Sequence, residues 1–304
     1  MAFDATRSFP TAPRTATTGL ANWLKTGVLL AAMTALILVI GQLIGGASGL
    51  MIAGVFALVS NFAAFWFSDK LALAVHRARP LARSELPWIH ESVERLTQRA
   101  GLPMPRLYLV PSHTPNAFAT GRSPAKAAVA VTTGLLELLD RREVEGVLAH
   151  ELAHVQNRDT LISTIAATIA GAISGIANML QWALIFGMGR GEDEEDGPAG
   201  LASTLALILF APLAATVLQL AISRSREFGA DATGAAICGD PHALADALEK
   251  LERGVQYVPD NAHPAHASLY IVNPLAGSSI LQWFSTHPPI AERVKRLRAM
   301  RPAY

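Results

Sequence analysis

The sequence predicts a mainly α-helical membrane protein in which four transmembrane helices carry a cytoplasmic α+β domain with a small β-sheet. Hydrophobic residues make up 51% of the 304 residues and charged residues 16%, and the mean hydropathy is +0.32. This composition is too apolar for an ordinary soluble enzyme. Charged residues are also absent from four long runs, and basic residues flank those runs unevenly. Together these observations predict membrane spans and their orientation.

The N-terminal part predicts a flexible tail over residues 1–26 and a transmembrane hairpin over 27–68. Two uncharged runs, Thr26 to Gly46 and Leu50 to Ser68, are each long enough to cross a hydrocarbon core of about 30 Å. A cleaved signal peptide is the alternative for the first run, but the long leading tail and the immediate second run favour an anchored hairpin. Basic residues stand on both flanks: Arg7, Arg14 and Lys25 before, and Lys70, Arg77, Arg79 and Arg83 after. We therefore expect both ends of this hairpin in the cytoplasm.

Residues 161–222 predict a second transmembrane hairpin, because no charge occurs from Leu161 to Gly189 or from Leu201 to Ser223. The loop between these runs carries five acids, from Glu192 to Asp196, against Arg190. An acid-rich, base-poor turn is expected outside the cell membrane. A buried helical hairpin of the cytoplasmic domain is the alternative, but the length of both runs favours the membrane.

The cytoplasmic domain is predicted in two parts, residues 69–160 and 223–304. The first contains a helix over 87–100 and short strands over 106–110 and 127–132. Between the strands, Asn116-Ala117-Phe118-Ala119 is predicted to form an exposed tip, with Asn116, Ala117 and Phe118 as substrate-binding residues beside a cleft. An edge strand there can bind an extended peptide by adding it to the sheet, although ordinary strands of a small sheet fit the pattern equally well.

A metal site is predicted at His150-Glu151-Leu152-Ala153-His154, in a helix that begins after Asp140. Four residues turn a helix by about 400°, so His150 and His154 face the same side and can bind one ion. Glu151 lies beside the first histidine, where it can take a proton from a water molecule at the metal. This spacing is typical of zinc hydrolases.

A catalytic zinc has three protein ligands and one open position, so a third ligand is needed. Glu227 is the best candidate, because a hairpin through the membrane brings the residues after His154 beside those before Glu227. Asp231 lies four residues further on, on the same helix face. We expect its carboxylate to accept a hydrogen bond from the outer nitrogen of a ligating histidine. Surface ion pairs are the alternative for both acids.

The rest of the sequence contains no second metal-spaced cluster and no glycine-rich phosphate loop. A helix is predicted to start at Asp240-Pro241 and end near Gly254. The last helix carries Arg293, Lys295, Arg296 and Arg298, which are expected to be solvated or to face lipid rather than nucleic acid. The single cysteine, Cys238, cannot form an intramolecular disulfide.

The two N-terminal runs, the histidine motif, the second pair of runs and the segment from Ser223 to Asp231 together resemble the HtpX-type membrane metalloproteases. These are relatives of the prenyl-protein (CAAX) proteases. The resemblance covers nearly the whole chain and implies a zincin-like endopeptidase with one Zn²⁺, held by His150, His154 and Glu227. It implies Glu151 as the general base and Asp231 as the outer carboxylate.

The resemblance also implies two substrate elements. The family's Asn-Ala-Phe-Ala motif corresponds to Asn116–Ala119, near the substrate strand, and its Thr-His-Pro-Pro motif makes His287 a partner of the substrate or the transition state. Phe228 departs from the tyrosine expected in many relatives.

The expected function is quality control in a bacterial inner membrane during stress. Both termini and the active site are expected in the cytoplasm. The expected partners are misfolded membrane proteins or unfolded polypeptides, the lipid bilayer and other quality-control proteases, and not nucleic acid. A prenyl-protein processing protease and a non-catalytic scaffold with structural zinc are the alternatives. A structural zinc has four protein ligands and needs no general base.

Overall fold

The computed structural model describes residues 16–165, 224–255 and 288–302. Most of the predicted second hairpin, the acidic loop inside it, residues 1–15 and His287 lie outside the described residues. The number of four membrane spans therefore stays a prediction.

The first helix, α1 (Ala16–Val75), is a helical hairpin. Its backbone leaves helical geometry at Gly45 and Gly46, and Gly46 has a φ of +54°. The two halves then run side by side, since the Asn61 amide donates a 2.7 Å hydrogen bond to the Thr34 hydroxyl. Among the described residues, one helical stretch, Gly45–Phe67, has the length and apolar composition to cross a membrane. This stretch contains nearly all of the predicted second span.

A mixed four-stranded sheet follows, and its strands are β1 (Arg79–Pro80), β2 (Arg106–Val110), β3 (Ala117–Thr120) and β4 (Ala128–Thr132). The spatial order is β1-β2-β4-β3. β2 and β4 are parallel, whereas β1 and β3 pair antiparallel with their neighbours. β3 is thus an edge strand, and the two predicted strands are confirmed to within one residue.

The prediction of an exposed tip at Asn116–Ala119 is wrong. All four residues are at most 6% exposed, because β3 lies between two apolar layers. Side chains alternate along a strand, so Ala117 and Ala119 join the core beneath the sheet, whereas Phe118 packs on the opposite face against the end of α1. The Phe118 ring lies 4.8 Å from the ring of His76.

The remaining helices are α2 (Pro87–Ala100), α3 (Thr133–Leu138), α4 (Arg141–Asn157), α5 (Arg224–Cys238), α6 (Pro241–Val255) and α7 (Ile290–Arg298). Residues 160–165 begin a further helix. α4 is central and packs against α2, α5, α6 and β3. Its predicted start is confirmed, because the Asp140 carboxylate accepts from the Glu143 amide and the Glu143 carboxylate accepts from the Asp140 amide, both at 2.9 Å.

The predicted solvated surface of α7 is only partly correct. Lys295, Arg296 and Arg298 are exposed, but Arg293 and Leu297 are completely buried. Residues four apart share a helix face, and this face of α7 lies against α5 and α6. The arginine therefore enters the interior of the protein.

Candidate metal centre

Two imidazoles meet on α4. The Nε2 atoms of His150 and His154 lie 3.2 Å apart. Each outer nitrogen faces a carboxylate, because His150 Nδ1 is 3.1 Å from Asp231 and His154 Nδ1 is 3.4 Å from Asp159. Carboxylates in these positions fix the tautomer and the ring orientation of metal-binding histidines.

The end of α4 explains the position of Asp159. Arg158 has a φ of +60°, a left-handed conformation that ends the helix, and the Asp159 amide donates to the His154 carbonyl at 2.9 Å. The chain therefore turns back directly after the motif, and the buried Asp159 carboxylate reaches the second histidine.

Glu227 reaches the histidines from the first turn of α5. Its carboxylate oxygens are 3.6 Å from His150 Nε2 and 3.5 Å from His154 Nε2. The ligand atoms of the three residues all lie within 4.8 Å of one another. Ligands held about 2.05 Å from a tetrahedral zinc are separated by roughly 3.3 Å. The two histidine nitrogens are 3.2 Å apart, and Glu227 directs Oε2 towards His150 and Oε1 towards His154, so the three side chains surround one position where an ion could bind.

Gly234 allows α5 to approach α4 this closely. A Cβ at this position would lie 2.9 Å from the Cα and 3.0 Å from the backbone nitrogen of His150. Any larger residue would push the two helices apart. The glycine thus sets the distance between the half-site on α5 and the half-site on α4.

Arg293 is the main residue at the site that the sequence interpretation missed. Its guanidinium is fully buried and donates two hydrogen bonds to Asp231, at 2.6 and 2.9 Å. Its Nη1 atom also lies 3.4 Å from Glu227. The arginine therefore holds both acids of α5 in place from a helix that lies 62 residues further along the chain than Asp231.

These charges set the pKa values of the site. Burial opposes ionisation of Asp231, but the charge of Arg293 and the hydrogen bonds from Arg293 and His150 together outweigh it and lower the pKa of Asp231 to about 2. Burial also favours neutral His150, whereas the carboxylates of Asp231 and Glu227 raise its pKa to about 9. A metal ion at this imidazole therefore competes with a proton.

Glu151 is buried beside the candidate metal ligands and next to the edge strand. Its Oε2 atom accepts a hydrogen bond of 2.8 Å from the Ala119 amide. Burial raises the pKa of Glu151, and the neighbouring histidines offset this only in part. A carboxylate in this position is well suited to accept a proton.

The edge of β3 presents selected backbone groups to this site. The Thr132 amide donates to the Asn116 carbonyl, so Asn116 forms a hydrogen-bonded pair with β4. Hydrogen-bonded and non-hydrogen-bonded residues alternate in an antiparallel pair, so the backbone of Phe118 also bonds to β4. The backbone groups of Ala117 and Ala119 then face the open side of β3. The Ala119 bond to Glu151 agrees with this alternation.

The structure thus brings together His150, Glu151, His154, Glu227, Asp231 and the backbone of Ala117. Phe118 directs its side chain away from the site, and His287 lies outside the described residues. Asp159 has a weak sequence signal, an acid directly after the end of the motif helix. Arg293 has none, since it resembles the neighbouring basic residues of α7.

Comparison with known proteins identifies a family and several relatives. The sequence profile of Peptidase family M48 matches residues 83–301. A protein named Protease HtpX homolog from Desulforapulum autotrophicum is 54% identical over 277 residues, which cover 91% of this chain and 89% of that protein. A protein of the same name from Pelotomaculum thermopropionicum is 54% identical over 279 residues, which cover 92% and 99%. The structural match to the crystal structure of S. mikatae Ste24p covers 93% of this chain and 67% of the Ste24p chain, with a TM-score of 0.49 and 21% sequence identity.

Proposed function

The chain belongs to peptidase family M48, and on that premise we propose that it is a zinc endopeptidase of the bacterial inner membrane that cuts misfolded or damaged membrane proteins. Membership makes it a membrane-associated metalloprotease with a catalytic metal and polypeptide substrates. The identity of the metal, the roles of the residues, the substrate class and the orientation in the membrane are the proposed parts.

Zinc is the metal we propose for His150, His154 and Glu227. Two neutral imidazoles and one carboxylate are a common ligand set for catalytic zinc. The separations of the three ligand atoms support one ion, and the described residues contribute three ligand side chains to the group. Three protein ligands favour an enzyme over a non-catalytic scaffold, because a structural zinc has four protein ligands. Bound zinc supplies a Lewis acid and lowers the pKa of water towards about 7.

Glu151 is proposed as the general base. It takes one proton from the water that attacks the peptide carbonyl, and it gives that proton to the nitrogen of the leaving amine when the C–N bond breaks. Because Ala119 donates to one carboxylate oxygen, the other oxygen keeps a fixed direction for this transfer. The geometry around Glu151, next to the three grouped ligands, is the observation that carries the proposed function.

The edge of β3 is proposed to hold the substrate. A peptide added along this edge hydrogen-bonds to the outward backbone groups of Ala117 and to the carbonyl of Ala119, since the Ala119 amide donates to Glu151. Asn116 and Phe118 support the strand from within, because their backbones pair with β4 and their side chains are buried. His287, three residues before α7, is proposed to contact the substrate or the transition state.

The orientation in the membrane is proposed from α1. Its Gly45–Phe67 stretch is followed directly by Ala72 and Leu73, which pack on the sheet. The catalytic domain therefore lies next to the flank that carries Lys70 and Arg77, and we place this flank in the cytoplasm. The second hairpin at 161–222 and the role in stress are part of the same proposal.

The test is degradation of casein by the detergent-purified protein after chelator treatment and zinc resupply, beside the Glu151→Gln variant. We expect zinc to restore cleavage in the unmodified protein. The Glu151→Gln variant is expected to bind one equivalent of zinc without cleavage, because the ligands remain and the base is lost. Glu145→Gln is the matched control, since Glu145 lies on the same helix but pairs with Arg95 at the surface.

The outcomes separate the alternatives. Zinc-dependent cleavage by Glu151→Gln would contradict the assignment of the base. Restoration by another divalent ion but not by zinc would contradict the choice of metal. Cleavage of casein but not of a destabilised membrane protein in the same detergent would contradict the proposed substrate class.

A further inference from the structure

We propose that Trp66, Phe67, Lys70 and Arg122, together called the interfacial patch, bind the phosphate groups of anionic phospholipids. This contact holds the loop after β3 at the membrane surface. The inference rests on the proposed membrane span, and it adds a lipid requirement to the protease.

The aromatic half of the interfacial patch ends the apolar stretch Gly45–Phe67. Trp66 and Phe67 are both 45% exposed, and Phe62 stacks on Trp66 with ring centroids 5.8 Å apart. Exposed tryptophan at the end of an apolar helix is typical of the layer between hydrocarbon and headgroups, because the ring is apolar and its N–H is polar. These rings therefore mark the depth at which phosphate groups lie.

The cationic half lies against the same rings. The Arg122 guanidinium carbon is 4.2 Å from the centre of the Trp66 ring, and Lys70 Nζ is 5.7 Å from that of Phe67. Trp66 and Lys70 are four residues apart and share one helix face. Two cations thus flank the exposed rings at the level expected for headgroups.

These cations remain available for a phosphate. Within residues 16–165, 224–255 and 288–302, no carboxylate forms an ion pair with Lys70 or Arg122. Two other arginines nearby in the sequence already have carboxylate partners: Arg106 pairs with Asp69 at 2.8 Å, and Arg79 pairs with Glu85 at 2.7 Å. An anionic headgroup supplies the missing charge, and an arginine stacked on a ring still offers N–H donors to phosphate oxygens.

The interfacial patch is connected to the catalytic residues through a short, well-held loop. Arg122 follows Gly121, whose carbonyl accepts a hydrogen bond from the Thr160 hydroxyl at 2.9 Å. Gly121 has a φ of +130°, and a Cβ there would lie 2.6 Å from the Lys126 carbonyl oxygen. Three residues before Arg122, the Ala119 amide binds Glu151. A headgroup that holds Arg122 therefore also holds the strand that orients the base.

The test compares the full chain in nanodiscs of phosphatidylcholine alone with nanodiscs that also contain phosphatidylglycerol. Native mass spectrometry counts the phosphatidylglycerol retained, and cleavage of a water-soluble peptide gives kcat/KM. We expect preferential retention and a higher kcat/KM with phosphatidylglycerol. Lys70→Gln and Arg122→Gln are each expected to weaken retention about fivefold and to reduce the stimulation. High salt is expected to do the same by screening.

Arg141→Gln is the matched control. Arg141 also stacks on a tryptophan, 5.2 Å from the ring of Trp88, but it starts α4, at the opposite end from the turn that leads to residues 160–165. We expect this variant to keep the full lipid response. Loss of the response in Arg141→Gln, or an unchanged response in Arg122→Gln, overturns the inference.

Two further outcomes separate a failure of this inference from a failure of the proposed function. Equal stimulation by soluble glycerol phosphate overturns the assignment to a bilayer lipid. Absence of zinc-dependent cleavage in every lipid contradicts the proposed function instead, and lipid retention then still decides the inference.

Discussion

The guanidinium of Arg293 donates to both carboxylate oxygens of Asp231, and Asp231 in turn lies 3.1 Å from Nδ1 of His150. A chain of three buried side chains therefore runs from α7 through α5 to α4. α7 thus takes part in positioning His150, the proposed metal ligand, although it does not itself carry that residue.

Arg293→Lys is expected to lower zinc affinity about 10- to 100-fold, the usual effect of losing an outer partner of a ligand. Lysine keeps the charge but cannot donate to both oxygens in one plane. Arg293→Met should lower zinc affinity further than Arg293→Lys does. It should also destabilise the fold by about 3–5 kcal/mol, because Asp231 remains buried without a cation. Competition with a chelating dye and thermal unfolding measure the two effects.

The control for this prediction is Arg296→Lys, on the exposed face of α7. Arg296 pairs with Glu292 at 2.8 Å and stacks on Phe228. We expect little change in zinc affinity. Unaltered affinity in Arg293→Lys as well would show that the arginine only supports packing.

Gly234→Ala is expected to weaken zinc binding and lower the melting temperature. The new methyl group would lie 2.9 Å from the Cα of His150 and would separate Glu227 from the two histidines. Gly229→Ala, on the same helix, is the comparison, because nothing lies within 4 Å of a Cβ there. Alanine at position 229 should be neutral or stabilise by up to about 1 kcal/mol through helix propensity. Equal effects of both variants would contradict this account of the α4–α5 contact.

Asp140→Ala is expected to destabilise the catalytic domain by about 1 kcal/mol, since α4 loses its N-terminal cap. Asp140→Asn should retain most of the stability, because asparagine caps equally well. Thermal unfolding of the zinc-loaded protein measures both. Equal losses in the alanine and asparagine variants would mean that the charge of Asp140, rather than its cap, is what stabilises the helix.

The free energy of unfolding is expected to decrease at acid pH, partly because the carboxylate of Asp246 on α6 becomes protonated. Burial alone raises the pKa of Asp246, but hydrogen bonds from Arg142 and Arg298 outweigh it and leave the pKa below its ordinary value. A lowered folded-state pKa stabilises the protein above the unfolded pKa of about 4, and this contribution is lost as pH falls through the folded-state pKa. Because the pair is partly exposed, we expect no more than about 1 kcal/mol.

The measurement is the difference in unfolding free energy between the unmodified protein and Asp246→Asn. That difference should be constant near neutral pH and shrink below pH of about 4. A difference that grows on acidification has the opposite sign and would rule out this role for Asp246.

The sequence predicted what local spacing determines. The capping box at Asp140 and the shared face of His150 and His154 follow from helix geometry, and family membership and the metalloprotease activity are confirmed by the comparisons. Glu227 could be placed near the histidines only through the assumed hairpin, and its role as a ligand stays a prediction.

Sequence patterns could not reveal contacts between distant elements. Arg293 looks like any basic residue of an amphipathic helix. It is buried because it contacts Asp231, which lies 62 residues earlier in the chain. Asn116–Ala119 looked exposed because a polar residue begins the segment. The segment is buried because the main core covers one face of the sheet and the end of α1 covers the other, and periodicity could not place α1 there.

The direct continuation of α1 from Phe67 to Ala72 also limits where a substrate can be cut. Five helical residues span about 8 Å, so in the proposed orientation the sheet sits at a fixed height beside the bilayer. An extended polypeptide covers about 3.3 Å per residue and needs roughly three residues to reach that height. For the proposed membrane-protein substrates we therefore expect cleavage to leave a stub of a few residues next to the lipid.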